Sequence, residues 1–427
     1  MELFYDIKKI RSQFPALDRK VNGNVTIYLD GPGGTQVPKR VTDKMTNYLL
    51  YHNANAHGHF ASSRECDALH EAARETMADF LNCYPQEIVF GDSSTTNNLK
   101  LTLALARKMK PGDEVIITDL DHESNRSPWL HMQEKGIIVK SIAVDPETCQ
   151  LDLEDYRNKL TENTKVVALN WASNGVGTIT DIKPLIELAH EKNAITIIDA
   201  VHYAPHRPID VDALGMDFLL CSPYKFFGPH MGVMYGKLDV MKNLETFRVL
   251  VDGNTQPPEK METGTPQFEA ICGAAEAVEF IADIGHDCEE WAVKERSDAM
   301  TGLKGRRKYI VAGLLAIEEY EDHLAQKIRR ELAAIDGVKI YGPLEGQPRT
   351  STISFLIEGL RAGEVAKKMG EEGIFVWAGH YYAKQLIDEV LNLKNVGGLV
   401  RIGFAPYNTE EEVNRTIEVV RKIALKE

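Results

Sequence analysis

The chain has 427 residues, 43% of them hydrophobic and 26% charged, which excludes global disorder, collagen and low-complexity sequence and leaves room for more than one domain. Lysine and arginine number 49 against 63 aspartates and glutamates, a formal net charge of −14, so neither nucleic acid nor an anionic lipid surface is expected as a partner. No apolar run approaches the ~20 residues that span a bilayer, so no membrane is expected either. The first residues, MELFYDIKKIRSQFP, mix charges and contain no apolar stretch, and do not read as a secretory leader. The six cysteines, Cys66, Cys83, Cys149, Cys221, Cys272 and Cys288, form no CxxC pair. That argues against a disulfide framework, a zinc ribbon or a redox dithiol, and fits a reducing cytoplasm.

From residue 87 to 237 two periods alternate. Short apolar or β-branched runs fall at 87–90, 114–118, 136–144, 165–172, 194–200, 218–222 and 232–235. Helical spacing fills stretches between them, such as 99–108 and 184–192. Runs joined by helices predict an α/β domain with a mainly parallel sheet, and their continuous apolar character predicts strands covered on both faces. Residues 252–266, with five prolines and glycines among polar side chains, predict an exposed excursion. The tail changes pattern. A long helix is predicted over 309–335. VKIYGP, TSTISFLIEG, a helix at 363–372, IFVWAG, another helix, GLVRIGF and a last helix from 409 then predict a smaller α+β unit. The expected division is a large domain over 25–300 and a small one over 1–24 with 301–427.

Ligands of open α/β sheets sit at the carboxyl ends of the strands, which singles out three loops. In EIVFGDSSTTNNL a strand runs into a helix, and Ser93, Ser94, Thr95 and Thr96 offer hydroxyls and free N–H groups to an anion such as phosphate; ordinary N-capping uses the same residues. In AITIIDAVHYAPH, Asp199 ends an apolar strand, where a carboxylate needs a cationic or N–H partner; a turn or cap role is the alternative, and no second ligand beyond His202 suggests a metal. In FLLCSPYKFFGPH, Lys225 follows a strand among aromatic residues. Burial there would lower its pKa and make it a nucleophile for Schiff-base chemistry, against the commoner fate of a lysine with its head in water. A phosphate loop, an aspartate and a lysine in this order are what pyridoxal phosphate requires: donors for the phosphate, a carboxylate for the ring nitrogen and an amine for the aldehyde.

The chain resembles the fold-type I pyridoxal-phosphate enzymes of the class V aminotransferase group, in its cysteine desulfurase and selenocysteine lyase branch. The likeness runs through YLDGPGGT, NANAHGH, EIVF…STT, DHESNRSPW, SNGVGTITDI, IIDAVHYAPHRPIDV, DFLLCSPYKFFGP, ETGTPQ and VRIGFAPYNTEEEV. It implies a large domain with a mainly parallel seven-stranded sheet and a smaller α+β carboxyl-terminal domain, with pyridoxal 5'-phosphate as cofactor. By resemblance, Lys225 would hold the cofactor aldehyde and shuttle a proton, Asp199 would pair with the pyridine nitrogen, and His122 would stack on the ring and assist the acid–base steps as a second catalytic residue. Ser94, Thr95 and Ser222 would hold the phosphate. Asn174 would lie near the cofactor oxygen and the substrate carboxylate, and Arg401 would clamp that carboxylate. Thr265 would reach the phosphate of a neighbouring subunit, which implies a homodimer. His57 and His59 are candidate substrate contacts or solvated loop residues.

Three positions depart from that pattern. Tyr224 precedes the lysine where the family has histidine; its phenol still has one hydrogen bond to give the phosphate. His202 stands where glutamine meets the cofactor oxygen. The sulfur-carrying cysteine of the desulfurases aligns with Tyr382, in VWAGHYYAKQ, and a phenol cannot form a persulfide. The expected function is a desulfurase-like lyase acting on the C–S or C–Se bond of an L-amino acid without a protein persulfide. A class V aminotransferase or an epimerase is the alternative within the fold, and a cofactor-free scaffold the alternative outside it. Neither GxGxxG nor GxxxxGK[ST] occurs to suggest a nucleotide site.

Overall fold

The computed structural model describes residues 5–250 and 255–426. After a short strand β1 (Ile27–Tyr28), helix α1 (Ala61–Leu81) leads into β2 (Ile88–Gly91), α2 (Ser94–Ala106), β3 (Glu114–Thr118) and α3 (Glu123–His131). There follow β4 (Ile138–Ile142), β5 (Thr164–Asn170), α4 (Lys183–Glu191), β6 (Ile195–Asp199), β7 (Phe218–Cys221) and β8 (Gly232–Gly236). Seven of these strands, β2 to β8, form one sheet in the order β2-β8-β7-β6-β5-β3-β4. Only β8 runs against its neighbours, β2 and β7; β3 to β7 pair in parallel. This is the mainly parallel seven-stranded sheet expected from the sequence, each predicted run falling within two residues of its strand.

The reason for the continuous apolar runs is visible in the packing. Successive residues of a strand point to opposite faces, and both faces are buried. Ile116, Val167 and Ile198 join one core cluster, while Ile117, Ala168 and Ile197 join the other. Strand β4 differs because it is the sheet edge: Ile138 is 46% exposed.

The tail forms the smaller unit. Helices α5 (Phe268–Asp287) and α6 (Gly305–Ala333) precede β9 (Val338–Tyr341), β10 (Ile353–Ile357), α7 (Ala362–Glu371), β11 (Ile374–Phe375), β12 (Trp377–Gly379), β13 (Leu399–Ile402) and α8 (Glu410–Leu425). The antiparallel sheet runs β9-β10-β13-β12. The helix expected after β12 is a short wide turn over Gln385–Val390, closed by Leu391 N–H to the Leu386 carbonyl at 2.8 Å. Helix α8 starts where Thr409 and Glu412 cap each other reciprocally, at 3.2 Å in both directions, as its T-x-x-E spelling predicts. Strand β1 pairs in parallel with β11 as a separate two-stranded ribbon, and Asp30 bridges Gly403 just past β13, so residues near the amino terminus join the small unit.

One expectation needs correction. Residues 252–254 of the predicted excursion lie outside the described residues; 255, 256, 259 and 263–265 are exposed as expected, but 257, 258, 260 and 261 are buried. Met261 enters the core beside Val89 and Leu101. Glu262 pairs with Arg74 at 3.0 Å and accepts the Phe90 N–H at 2.8 Å. Proline and glycine content signals irregular backbone, and part of this stretch uses it to reach into the core. Among the described residues no helix is long and apolar enough to cross a membrane.

Candidate active site

A cavity of about 710 Å³ opens at the carboxyl ends of the large sheet. The strands deliver its polar groups in turn. Asn170 ends β5, Asp199 ends β6, Ser222 follows β7, and Ser94 and His122 follow β2 and β3; all line the cavity. Arg401 reaches it from β13 of the small sheet.

Helix α2 begins at the cavity wall. Ser93 caps it, accepting the Thr96 N–H at 3.1 Å. The Ser94 hydroxyl donates to the Cys221 carbonyl at 2.7 Å and sits 2.7 Å from Ser222 Oγ. Ser94 has one proton to give, so Ser222 donates to Ser94, and the two serines fix each other. Thr95 is exposed at the helix start and lines the cavity. This approach needs Gly232: a Cβ there would lie 2.3 Å from the Ser93 carbonyl carbon. The helix N-terminus therefore meets β8 directly, with the Ser94 and Ser222 hydroxyls gathered at its start, the kind of place where an anion finds donors.

Lys225 is buried in the turn after β7. Its Nζ donates to the Pro32 carbonyl and stands 4.9 Å from the Tyr224 ring centre. Burial, helped by Arg401 and opposed by Asp199 and Asp30, lowers its pKa to about 7. Asp199 accepts the Val201 N–H at 3.0 Å, and burial raises its pKa to about 6 against the pull of that bond and of Lys225. Tyr224 stacks on His230 with centroids 5.0 Å apart. His122 caps α3 through Nδ1, which accepts the Ser124 N–H at 3.1 Å. Burial, with Lys225 and Arg401 nearby, lowers its pKa to about 4, so the ring is neutral at pH 7.

Arg401 is buried, and its NH1 donates to the Asn174 carbonyl at 2.7 Å. Its guanidinium carbon lies 4.1 Å from the Tyr381 ring centre. Burial first, against Tyr381 and Asp30, lowers its pKa to about 10, so it stays cationic. The Asn174 amide donates to the Tyr381 carbonyl at 2.8 Å. His202 meets Thr352 at 2.8 Å and Thr350 at 3.3 Å through Nε2. Behind it, His206 pairs with the buried Glu321 at 2.6 Å. Four polar atoms of cavity-lining side chains are buried without a hydrogen-bond partner: Asn170 Oδ1, Asn174 Oδ1, His202 Nδ1 and Arg401 Nε. Together with an amine, an isolated carboxylate and an anion seat, they fit a polar ring with a phosphate arm, as pyridoxal phosphate is.

Some sequence candidates stand apart from this cavity. His57 is exposed beside Asp67, at 3.6 Å, and His59 is exposed in the same loop. Thr265 lines a separate small crevice with Asp92 and Lys100. Tyr382 does line the cavity. Asp30 was not singled out from the sequence: its Oδ1 is buried without a partner, and burial raises its pKa to about 6 while Arg401 and Lys225 pull it down. Trp377 was also missed. The LDGPGG run around Asp30 was the one available signal, as a polar residue between an apolar run and a glycine turn.

The pKa of Lys225 gives a pH prediction. Only the neutral amine attacks an aldehyde, and it predominates above pH 7. Capture of pyridoxal phosphate by cofactor-free protein is therefore expected to slow by about tenfold per pH unit below 7 and level off above it. Growth of visible absorbance after mixing measures this; a rate still climbing tenfold per unit up to about pH 10 would mean an ordinary, solvated lysine.

The class V aminotransferase family model matches residues 27–312 and 298–416. The chain is 33% identical to the probable cysteine desulfurase 1 of Mycobacterium leprae (strain TN) over 98% of its length, and spans 66% of that protein. It is 31% identical to the aminotransferase-like protein FGM3 of Gibberella zeae, covering 98% of each chain. Among solved structures, the apo cysteine desulfurase from Thermococcus onnurineus NA1 is similar with a TM-score of 0.84, 27% identity and 98% coverage of both chains. Matched along nearly its whole length and carrying a site that fits the cofactor, the chain belongs to the class V aminotransferases, a pyridoxal-phosphate family.

Proposed function

We propose that this protein is a pyridoxal-phosphate-dependent lyase that cleaves the C–S or C–Se bond of an L-amino acid without carrying sulfur on a cysteine of its own. One observation supports the second half of this reading: none of the six cysteines lines the cavity, and by the sequence resemblance it is Tyr382 that aligns with the desulfurases' cysteine. Burial also pushes the thiols up, Cys149 and Cys272 to about 11 and Cys288 to about 12, and the thiolate is the form that takes up sulfur.

When bound, the cofactor supplies an electron sink conjugated to the substrate nitrogen. The residues supply the rest. Lys225 would hold the aldehyde and take the substrate Cα proton on Nζ, its low pKa making it a base near neutral pH. Asp199 would accept a hydrogen bond from a protonated ring nitrogen, and the ion pair would keep that carboxylate charged despite burial. His122 would lie over the ring as a neutral imidazole. The N–H groups at the α2 start, with Thr95, Ser94, Ser222 and the Tyr224 phenol, would surround the phosphate. Asn174 and His202 would meet the ring oxygen with their unpartnered atoms. Arg401 would grip the substrate carboxylate with Nε and its free NH2 edge.

The active form in this reading is a cytoplasmic homodimer, Thr265 reaching the partner's phosphate and His57 and His59 the partner's substrate. Leu49, Leu50, Tyr51 and Phe60, 50–69% exposed beside that loop, support a buried interface there. The division at 25–300 against 1–24 with 301–427 belongs to the same proposal.

A panel of L-amino acids scored for sulfide or thiol, keto acid, ammonia and D-isomer tests the reaction. Keto acid without sulfur release would mean an aminotransferase, and the D-isomer an epimerase. Changing each cysteine in turn to alanine is expected to keep sulfur release within about threefold of the parent. Loss of turnover in a correctly folded single variant would restore the persulfide relay.

A further inference from the structure

The lyase reading leaves the substrate side chain open, and the walls around Arg401 bear on it. Trp377 lies directly opposite Arg401 in the β12–β13 pairing, so the indole and the guanidinium leave the same face of the sheet. Gly33 makes room for the indole: a Cβ there would come 2.3 Å from Trp377 Nε1. Tyr381 lies against the guanidinium, and Tyr382 faces His122 with ring centres 5.5 Å apart at 44°. Leu99 and Pro128 continue this lining.

The two tyrosines are also held against local preference. Their φ values are 52° and 59°, a region that bulky side chains seldom adopt and that surrounding structure must impose. Here Asn174 holds the Tyr381 carbonyl at 2.8 Å and the Glu123 N–H holds the Tyr382 carbonyl at 2.7 Å. Within one protomer Trp377 and Tyr382 are 52% and 66% exposed, so this aromatic face is open toward the cavity mouth, where the proposed partner loop also approaches. A cysteine side chain, one methylene and a thiol, would leave most of this aromatic surface wet. A larger apolar group would cover it.

The absence of a cysteine from the cavity points the same way. Without a protein thiol to receive it, sulfur leaves by elimination, as hydrosulfide from cysteine itself or as a thiol from an S-substituted cysteine, and the aromatic walls favour the second. We propose that the site takes S-substituted L-cysteines whose sulfur bears an aromatic or bulky apolar group, and eliminates that group as a thiol; this rests on the lyase reading above. The Cα–H bond breaks to Lys225 and the Cβ–S bond breaks with its electron pair going to sulfur. The sulfur takes a proton and leaves as R–SH. One water hydrolyses the three-carbon remainder to pyruvate and ammonium, with no net oxidation or reduction by an outside reagent.

The test uses the holoenzyme with S-benzyl-L-cysteine and L-cysteine in parallel, scoring thiol or sulfide and pyruvate. The expected kcat/KM is at least about tenfold higher for the benzyl compound, with benzyl thiol and pyruvate in equal amounts. Trp377→Ala and Tyr382→Ala are expected to lower the benzyl-to-cysteine ratio of kcat/KM by about fivefold or more each. Equal or better use of L-cysteine, or variants that leave the ratio unchanged, would overturn the proposal while leaving the lyase reading intact. Binding of 3-(benzylthio)propanoate, which has no amine to react, separates the two failures. If it binds about tenfold tighter than 3-mercaptopropanoate yet S-benzyl-L-cysteine yields keto acid and no thiol, the lyase reading falls and the elimination with it, and only the side-chain preference survives.

Discussion

Lys225→Ala is expected to abolish turnover, lowering kcat by about 10,000-fold or more. The lysine has two tasks, and no neighbour can take either. Its buried amine, with pKa lowered to about 7, is the group placed to bond the cofactor aldehyde. The nearest other nitrogen bases are unsuited: His122 spends Nδ1 on capping α3, and the Arg401 guanidinium remains charged. The variant should still bind pyridoxal phosphate through the anion seat at the start of α2, so borohydride is expected to fix cofactor on the parent protein at residue 225 and leave the variant unlabelled. Peptide mapping after reduction reads this directly. A variant that keeps a few per cent of activity, or a label on another lysine, would sink the assignment.

Arg401→Ala is expected to cost about 3 kcal/mol, roughly 100-fold in kcat/KM. The guanidinium is held from two sides before any substrate arrives, by the Asn174 carbonyl at 2.7 Å and the Tyr381 ring at 4.1 Å. Its Nε is buried with no partner, which leaves an ordered donor for a carboxylate. Arg401→Lys should recover only part of the loss, because an ammonium cannot present a planar fork. The larger share should appear in KM, since the carboxylate is equally charged throughout the reaction. Amines lacking the carboxylate should lose little further in the variant; if they lose as much as amino acids, Arg401 acts by some route other than gripping that group.

Local pattern made the large sheet legible. The run at 114–118 matches β3 residue for residue, because a strand buried on both faces declares itself by uninterrupted apolar character. Asp199 and Lys225 were legible for the same reason, as polar residues at the ends of such runs. What brings Arg401, Trp377 and Asp30 to the same place is tertiary. Arg401 reaches Asn174 across 227 positions of sequence, and His202 reaches Thr352 across 150. No period or turn signal encodes such pairings. Asp30 precedes a glycine turn in the sequence, and its bridge to Gly403 accompanies the pairing of β1 with β11. The buried stretch near Met261 was misread because its anchors, Val89, Leu101 and Arg74, lie far upstream.

Lys225 hangs from the large sheet and Arg401 from the small one, with the Asn174 carbonyl already tying across. An amino acid held by its nitrogen at one and its carboxylate at the other would therefore add a further fastening across two layers that the chain's connections and packing already join. Occupancy and cohesion become linked quantities: ligand at 100 times its Kd adds about 2.7 kcal/mol to the folded state, and that gain is shared with the seam between the layers. The reverse also holds. A substitution that loosens the seam, far from any group the ligand touches, would register in an assay as weakened affinity.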